Sequence, residues 1–260
     1  MVRLDRLLVE RGLAPGGSRA REMVLSGAVR VRGEVLGKPG RRVREDEEIS
    51  VEEGAGRYVS RAAAKLEAAL ERFGLTVEGL DCLDAGCSRG GFTEVLLRRG
   101  ARRVIAVDVG HGQLHPSLAR DGRVFYMEGT NVRHLSGGDL PFPPRLLVAD
   151  LSFIPLEVAL AGLLSSTPSI EEAVVLVKPQ FEAGPEGVGR GGLVRDPEVR
   201  LRAVLGVAEA MGSLGFGARD LMRAPVAGRR AGNGEYPMHL VRGAGSALEE
   251  GRIREVVAGE

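Results

Sequence analysis

The sequence predicts an α/β fold in which a doubly wound sheet follows a small, basic α+β module. From Ser60 onwards, short apolar runs alternate with helical patterns, an alternation that is typical of a doubly wound sheet. Residues 1–55 instead combine two short helices with brief alternating strands. The flexible run Gly54-Ala55-Gly56 separates the two regions, so we predict domains at 1–55 and 60–260 with a linker at 56–59.

The first module begins with two short helices. Leucines at helical spacing form the first, which ends near Gly12, and the second is expected to start at a Ser18 cap and to stop at Gly27. Val29 and Val31 then alternate with arginines, which predicts a strand with one buried and one basic face. A core of this size is marginal for an independent domain.

The net charge of +1 conceals a strongly basic N-terminal region. Residues 1–44 hold eleven Lys and Arg side chains against four Asp and Glu, an excess of seven positive charges, and the acidic run Glu45–Glu48 follows. A basic lobe on a nearly neutral protein is typical of nucleic-acid binding, although an arginine-rich solvated surface has the same composition. The candidate nucleic-acid contacts are Arg3, Arg6, Arg11, Arg19, Arg30, Arg32 and Lys38.

The composition also argues against membrane and metal chemistry. No run approaches the roughly 18 apolar residues of a membrane span, and the N-terminus has no apolar signal stretch, so we expect a cytoplasmic protein with no membrane partner. Cys82 and Cys87 fit no zinc spacing, and the four histidines form no ligand cluster with them. We therefore expect no metal.

Lysine is scarce in this chain. Of the 36 Lys and Arg residues only three are lysines, Lys38, Lys65 and Lys178. Apart from an accident of composition, a lysine retained against this bias is expected where a compact amine that can give up its proton is needed. Lys178 ends the apolar run Val174–Val177, and Lys65 opens the helix before a glycine-rich loop. Both are candidate catalytic amines.

A strand, a tight glycine turn and a helix are predicted over Leu83–Phe92. The next strand ends at Asp108, a carboxylate that can hold ribose hydroxyls. A dinucleotide site is one alternative, but the GxGxxG motif is absent from Gly86–Gly91. Asp84 before the first glycine better suits S-adenosylmethionine, whose amino-acid end carries an ammonium rather than a pyrophosphate. A plain strand-to-helix turn is the other alternative.

Polar residues follow three further predicted strands. Gly129-Thr130-Asn131 stands where an adenine is usually contacted, and Asp150 and Lys178 end the following two strands. Because parallel strands present ligand-binding groups at their carboxyl ends, we expect these side chains at one edge of the sheet. The segment Glu182–Gly192, with five glycines, is expected to be a mobile loop that could fold over substrate.

The N-terminal module resembles the RNA-binding module first described in small-subunit ribosomal protein four. The resemblance is carried by Arg3–Leu13, Ser18-Arg19, Gly27–Val31 and Lys38-Pro39-Gly40. It implies that a basic helical face contacts structured RNA. The chain departs from the usual pattern in the longer turn at Pro15-Gly16-Gly17 and in Arg32, where Asn commonly precedes the glycine.

Nearly the whole chain resembles the TlyA family of cytidine 2′-O-ribose rRNA methyltransferases, often labelled haemolysins, within the FtsJ/RrmJ class. The matching motifs are Tyr58–Arg61, Lys65-Leu66, Asp84 with Gly86, Ser88 and Gly90–Thr93, Asp108–Gly110 with Gln113-Leu114, Thr130–Arg133, Asp150–Ile154, Lys178–Glu182, and Gly232-Asn233 with Glu235. The resemblance implies a Rossmann-like fold, S-adenosylmethionine as cofactor, and ribosomal RNA or ribosomal subunits as partner.

By that resemblance, a Lys-Asp-Lys-Glu tetrad falls on Lys65, Asp150, Lys178 and Glu235. The implied donor-binding residues are Asp84, Gly86, Ser88, Gly90, Gly91, Phe92, Asp108, Asn131 and Asp150. Three departures from the family pattern stand out. Ala62-Ala63 replaces two glycines, and Arg89 replaces a usual Thr. The turn Arg229-Arg230-Ala231 before Gly232 is longer than the family's by about one residue.

The tetrad suggests a mechanism. Lys178 is expected to take the proton of the ribose hydroxyl, since burial and a nearby Lys65 would both favour a neutral amine. Asp150 would orient Lys178 close to the donor methyl, Lys65 would stabilise the developing oxyanion, and Glu235 would balance the charge of Lys65.

Other functions remain open at this stage. A base-methylating enzyme would more often carry an Asn/Asp-Pro-Pro-aromatic motif where this chain has Asp150-Leu151-Ser152-Phe153. A non-catalytic ribosome-assembly factor would have no need of all four tetrad residues. A membrane-active haemolysin finds the least support, because the chain lacks a long amphipathic lytic helix.

Overall fold

The computed structural model describes residues 1–51, 58–226 and 233–259. Within it the chain forms two compact units, Met1–Ala63 and Ala64–Glu260, called here the N-terminal and C-terminal units. The predicted joint at Gly54-Ala55-Gly56 and the turn before Gly232 lie outside the described residues. No helix among the described residues is both long and apolar enough to cross a membrane.

The described residues of the N-terminal unit form two helices and five short strands. Its elements are β1 (Val2–Arg3), α1 (Leu4–Glu10), α2 (Gly17–Leu25), β2 (Val29–Val31), β3 (Glu34–Val35), β4 (Arg42–Val43) and β5 (Ile49–Val51). Strands β1 and β4 pair, and β2 lies between β3 and β5, all antiparallel. The leucine stripe of α1 is buried, as predicted. The predicted Ser18 cap is wrong, because α2 already begins at Gly17 and its N-cap position is Gly16.

The C-terminal unit is a seven-stranded sheet with helices. Its elements are α3 (Ala63–Phe73), β6 (Asp81–Ala85), α4 (Gly91–Arg98), β7 (Arg103–Val107), α5 (Pro116–Ala119), β8 (Val124–Met127), β9 (Leu146–Ala149), α6 (Leu156–Ser166), β10 (Glu172–Val177), α7 (Pro179–Glu182), α8 (Pro197–Ser213), β11 (Phe216–Leu221), β12 (Tyr236–Arg242) and α9 (Glu250–Ala258). The strand order is β11-β12-β10-β9-β6-β7-β8.

The central strands β6, β9 and β10 are buried on both faces, as expected of a parallel sheet covered by helices, and apart from Asp81, Asp84 and Glu172 they are apolar. Strands β6 to β10 pair in parallel, while β12 runs antiparallel to both its neighbours. The predicted fold class is confirmed.

The strand order reverses between β6 and β9. From β6 the chain first continues to β7 and β8 on one side, and then returns to β9 on the other. Ala85 and Ala149 are register partners at the carboxyl ends of these two strands. A reversal of this kind opens a crevice where ligands bind in open α/β sheets. Gly86 and Asp150 are the first residues beyond the strands, so the fold places them at the crevice.

Candidate active site

The glycine loop, Gly86–Gly91, joins β6 to α4 at the strand reversal. Gly86 and Gly90 have φ angles of +85° and +91°, which favour glycine. A Cβ on Gly86 would lie 2.8 Å from the backbone carbonyl oxygen of Asp150, whereas one on Gly90 would overlap the end of the Leu118 side chain. Backbone conformation therefore favours glycine at both positions, and close packing against backbone requires it at Gly86.

Asp108 fixes the shape of the glycine loop. Its Oδ2 accepts the backbone N–H of Ser88 at 2.8 Å, and its Oδ1 accepts that of Gly110 at 2.8 Å. Ser88 has a φ of +47°, so the carboxylate stabilises a left-handed residue. Each carboxylate oxygen has a second lone pair and can accept a further hydroxyl. Asp108 can thus hold the loop in shape and bind a ligand at the same time.

Asp84 is fully buried near the end of β6. Burial raises the pKa of Asp84 to about 7, although the hydroxyl of Thr93 donates to its Oδ2 at 2.6 Å and lowers it. The other oxygen, Oδ1, has no hydrogen-bond partner among the described residues. A buried acceptor without a partner is costly, and a cationic or N–H group of a ligand would relieve the cost.

Of the other predicted donor-binding residues, Gly91 and Phe92 are buried in the first turn of α4. Asn131 is exposed; its side-chain oxygen accepts the N–H of Arg133 at 3.1 Å, so that its amide group caps the 3₁₀ turn Val132–His134.

The four predicted tetrad residues lie together in one chain of opposite charges. Lys178 Nζ is 2.5 Å from Asp150 Oδ1, and Lys65 Nζ is 3.6 Å from Asp150 Oδ2. Lys65 Nζ is also 2.5 Å from Glu235 Oε2, in a second buried ion pair. The order is therefore Lys178, Asp150, Lys65, Glu235, with a net charge of zero when all four are ionised.

These side chains lie on or next to four separate secondary-structure elements. Lys65 lies in the first turn of α3, Asp150 follows β9, Lys178 follows β10, and Glu235 precedes β12. All four are largely buried, with at most 16% of a side chain exposed. Taking charges out of water is unfavourable unless each is paired, and alternation gives every charge an opposite neighbour.

Asp150 occupies the centre of this cluster. Burial alone would raise the pKa of Asp150, but the ammonium groups of Lys178 and Lys65 outweigh burial and hold the pKa below its usual range. Asp150 is thus a carboxylate throughout the neutral range. Each lysine faces a carboxylate rather than the other lysine, so the predicted repulsion between the two amines is not the main interaction.

Two aromatic side chains and a serine beside Lys178 have no role in the sequence-based assignment. Ser152 Oγ accepts a hydrogen bond from Lys178 Nζ at 3.1 Å. Phe153 is 86% exposed and has a φ of +67°, and its ring lies 5.1 Å from that of Phe181. A bulky residue in the left-handed region is rare and concentrates at functional sites. Neither its exposure nor its backbone angle has a signal in the sequence.

The glycine-rich segment Glu182–Gly192 is attached to the C-terminal unit near its end. It follows directly from α7 and contains two 3₁₀ turns, Pro185–Gly187 and Arg190–Gly192. The buried Asn233 accepts the N–H of Val194 at 3.0 Å and donates to the carbonyl of Gly192 at 2.7 Å. Asn233 lies two residues before Glu235, so these hydrogen bonds connect the glycine-rich segment to the stretch of backbone that carries Glu235 of the tetrad.

Most of the predicted RNA-binding cations of the N-terminal unit have local partners. Arg3 pairs with Asp5, Arg6 with Glu10, Arg19 with Glu22 and Arg32 with Glu47, while Arg11 and Arg30 donate to backbone carbonyls. Lys38 is exposed and has no ion pair within the described residues. The same is true of three cations that the sequence-based assignment omitted, Arg21, Arg41 and Arg42.

The described residues contain no group of three or more His, Cys, Asp or Glu side chains placed to hold a metal ion. A seven-stranded sheet with a glycine loop and an acidic residue on the next strand is the arrangement of Rossmann-like methyltransferases. The Lys-Asp-Lys-Glu cluster at the same sheet edge adds groups that can move a proton at a hydroxyl.

Comparisons with known proteins agree with this class. The model of the FtsJ-like methyltransferase family matches residues 58–242, and that of the S4 domain matches residues 2–49. The 16S/23S rRNA (cytidine-2′-O)-methyltransferase TlyA of Mycobacterium tuberculosis is 43% identical over 256 residues, which cover 98% of this chain and 95% of the relative. The chain therefore belongs to the TlyA family, within the FtsJ-like methyltransferases.

Two further relatives carry a haemolysin name. Hemolysin A of Brachyspira hyodysenteriae is 34% identical over 92% of this chain and all of its own length. The solved structure of a hemolysin from Streptococcus thermophilus superposes with a TM-score of 0.78 at 36% identity, covering 99% of this chain and 94% of that one.

Proposed function

We propose that this chain transfers a methyl group from S-adenosylmethionine to the 2′-hydroxyl of a cytidine ribose in ribosomal RNA. The observation that carries the proposal is the buried Lys178–Asp150–Lys65–Glu235 cluster at the sheet edge that also holds the glycine loop. The choice of ribose and of cytidine follows the Mycobacterium tuberculosis relative, whose name states both.

The glycine loop fits the proposed donor. The unpartnered Oδ1 of Asp84 suits an ammonium or amide N–H, and the remaining lone pairs of Asp108 suit ribose hydroxyls. When bound, S-adenosylmethionine supplies a methyl group activated by a sulfonium sulfur. At Gly86 the backbone of the loop packs closely against the backbone of Asp150, so the glycine loop and the tetrad adjoin each other.

Lys178 is the proposed general base. A neutral lysine has two N–H bonds and one lone pair, and Asp150 and Ser152 lie where they can accept the two N–H bonds. The lone pair is then left for the 2′-hydroxyl, whose proton moves to Lys178 Nζ as the new carbon–oxygen bond forms. Positioned proton transfer of this kind contributes about 10² to 10⁴ in rate.

Lys65 remains paired on both sides, with Asp150 and Glu235. An ammonium held in this way is suited to stabilise the negative charge that develops on the ribose oxygen. Glu235 keeps that ammonium in place. The exposed ring of Phe153 packs against Phe181, whose own ring lies 5.8 Å from Lys178 Nζ. Phe153 thus offers a flat apolar surface on which the base of the target nucleotide can stack.

The first experiment measures transfer of tritium from labelled S-adenosylmethionine to ribosomes, isolated subunits and naked rRNA. We expect label in rRNA with wild-type protein and none with Lys178→Ala. Donor binding without transfer to any of these RNAs would contradict the proposal and favour an assembly factor. The particle that accepts label identifies the substrate.

Replacement of Ser152 by alanine tests how Lys178 is oriented. We expect kcat to fall about 5- to 10-fold, since one hydrogen bond contributes roughly 1–1.5 kcal/mol. Donor affinity should not change, because the glycine loop and Asp108 do not involve Ser152. Single-turnover rates at saturating RNA, with donor binding measured by calorimetry, check this. An unchanged rate would remove Ser152 from the site.

The N-terminal unit is proposed to dock on structured RNA. Surface ion pairs contribute little, so the paired arginines can exchange their partners for phosphate, while Arg21, Lys38, Arg41 and Arg42 have no ion pair to break among the described residues. Each phosphate contact releases counterions and makes binding depend on salt.

The double variant Arg41→Ala/Arg42→Ala is therefore expected to bind more weakly to the ribosomal particle or RNA that accepts label in the tritium-transfer experiment. The slope of log Kd against log salt concentration should fall by roughly 1.4–1.8, or about 0.7–0.9 for each phosphate that is no longer neutralised. Arg202→Ala is the matched control, since Arg202 is exposed on α8 and has no ion pair within the described residues. An equal change in the control would contradict docking through the N-terminal unit.

A further inference from the structure

The loop Asp150–Pro155 connects β9 to α6 and carries three of the groups assigned to the substrate site. Its first residue, Asp150, is held by Lys178, which also reaches Ser152. Phe153 then contacts Phe181. The near end of the loop is thus attached to the segment that begins at Lys178.

The far end of the loop is attached to the same segment by a different residue. Leu156 is the first residue of α6, and its N–H points out of the helix end without an intrahelical acceptor. The preceding Pro155 has no side-chain oxygen to cap it. Glu182 supplies the acceptor: its Oε1 receives the Leu156 N–H at 3.1 Å, across 26 positions of the chain.

The ionised side chain of Glu182 is energetically unfavourable at this position. Burial raises the pKa of Glu182 to about 7, the neighbouring Glu157 on α6 raises it further, and the hydrogen bond from Leu156 lowers it. Burial dominates, so the ionised carboxylate destabilises the folded state. A carboxyl group retained under these conditions is better explained by function than by stability.

We propose that Glu182 is a positioning residue of the methyl-transfer site, which holds the loop Asp150–Pro155 against the segment that carries Lys178. The inference rests on the proposed function, in which Lys178 and Asp150 act together. Leu151 and Ile154 pack against the hydrophobic core, but neither contact ties the far end of the loop to the segment that carries Lys178. The hydrogen bond from Leu156 to Glu182 makes that tie, and without it the far end could shift relative to Lys178. A small displacement of Asp150 or Ser152 would then misdirect the lone pair of Lys178.

The acceptor oxygen is the feature that the position requires. An ionised carboxylate, a neutral carboxyl group and a carboxamide can each accept the Leu156 N–H. We therefore expect Glu182→Gln to keep kcat within about twofold of wild type. Glu182→Ala lacks the acceptor, and we expect its kcat to fall about 10-fold at saturating RNA, since misplaced reacting groups slow the chemical step. Donor affinity should stay unchanged in both variants.

Stability provides a readout that separates positioning from a merely structural role. The pKa of Glu182 in the folded state, about 7, is above its ordinary value of 4.5, so its contribution to stability is present at pH 4 and is lost as the pH rises through 7. Glu182→Gln should therefore unfold at a higher temperature than wild type at pH 8.5, with the difference gone at pH 4. Glu182→Ala also removes the destabilising charge. At pH 8.5 its kcat should therefore decrease without a matching decrease in its melting temperature.

The experiment compares single-turnover methylation, donor binding and thermal unfolding at pH 4 and 8.5, with methylation assayed at pH 8.5. Glu157→Gln is the matched control, because Glu157 is an exposed glutamate in the first turn of α6, close to the same helix end; its kcat should equal that of wild type. A wild-type kcat in Glu182→Ala, or an equal decrease in Glu182→Gln, would overturn the inference. Near-normal turnover in Lys178→Arg would instead overturn the proposed role of Lys178 as general base, whatever Glu182 does.

Discussion

Replacement of Lys178 by arginine is expected to lower kcat for methyl transfer by about 10² to 10⁴, the contribution of a positioned proton acceptor. Arginine keeps the positive charge and can pair with Asp150, but it does not give up a proton in proteins. Donor affinity should change less than twofold, since the glycine loop is built on β6 and β7. Single-turnover kinetics and calorimetric titration of the donor measure the two quantities.

Comparison of Lys178→Ala with Lys178→Arg separates the effect of the positive charge from that of proton transfer. The alanine variant removes both the amine and the ion pair, so it should be as slow as Lys178→Arg if proton transfer is the main role. An arginine variant with near-normal turnover would show that Lys178 acts through its charge alone. An alanine variant much slower than the arginine variant would indicate that orientation of Asp150 adds a separate effect.

Replacement of Asp150 by asparagine is expected to have the largest effect on stability. Asp150 lies between two buried lysines, and asparagine would leave Lys178 and Lys65 with Glu235 as their only carboxylate in the tetrad. Removing one partner of a buried ion pair costs about 3–5 kcal/mol. Methyl transfer should also fall by at least about 10², because Lys178 loses the group that orients it.

The pH dependence of this effect follows from the lowered pKa of Asp150. A carboxylate whose pKa is lowered in the folded state contributes stability above its unfolded pKa, and this contribution is lost as the pH falls through the folded value. The difference in unfolding free energy between wild type and Asp150→Asn should therefore be full at pH 7 and should shrink below about pH 4, near the ordinary pKa of Asp. Urea unfolding at pH 7 and pH 3 tests this.

Asp121→Asn is the matched control for Asp150→Asn. Asp121 also has a lowered pKa, through its hydrogen bonds with Arg123, but it lies in a surface ion pair. Such pairs contribute about 0–1 kcal/mol. A decrease in stability in Asp150→Asn no larger than in Asp121→Asn would contradict the view that the tetrad is a coupled buried cluster.

The lysines show why the main features of the site could be predicted from the sequence. In a chain that otherwise uses arginine, Lys65 and Lys178 were conspicuous, and both lie in the cluster. Asp150 and Lys178 could be placed because each follows an apolar strand, and parallel strands share a carboxyl edge. The family resemblance supplied Glu235, for which neither periodicity nor spacing gave a signal.

The features that could not be predicted depend on contacts between distant parts of the chain. The bond from Leu156 to Glu182 and that from Lys178 to Ser152 each join residues 26 positions apart. The left-handed conformation of Phe153 is imposed by its surroundings, since nothing in a phenylalanine favours it. In the N-terminal unit, charge counting found the basic region but not which cations are already paired with Asp or Glu.

The measurement that tests the central claim most directly is nucleoside mass spectrometry of rRNA after incubation with S-adenosylmethionine and either wild-type protein or Lys178→Arg. We expect 2′-O-methylcytidine to appear with wild type and to be absent, or reduced by at least about 10², with the variant. A methyl group on the cytosine base, or equal amounts of 2′-O-methylcytidine with both proteins, would contradict the assignment of Lys178 as the base that activates a ribose hydroxyl.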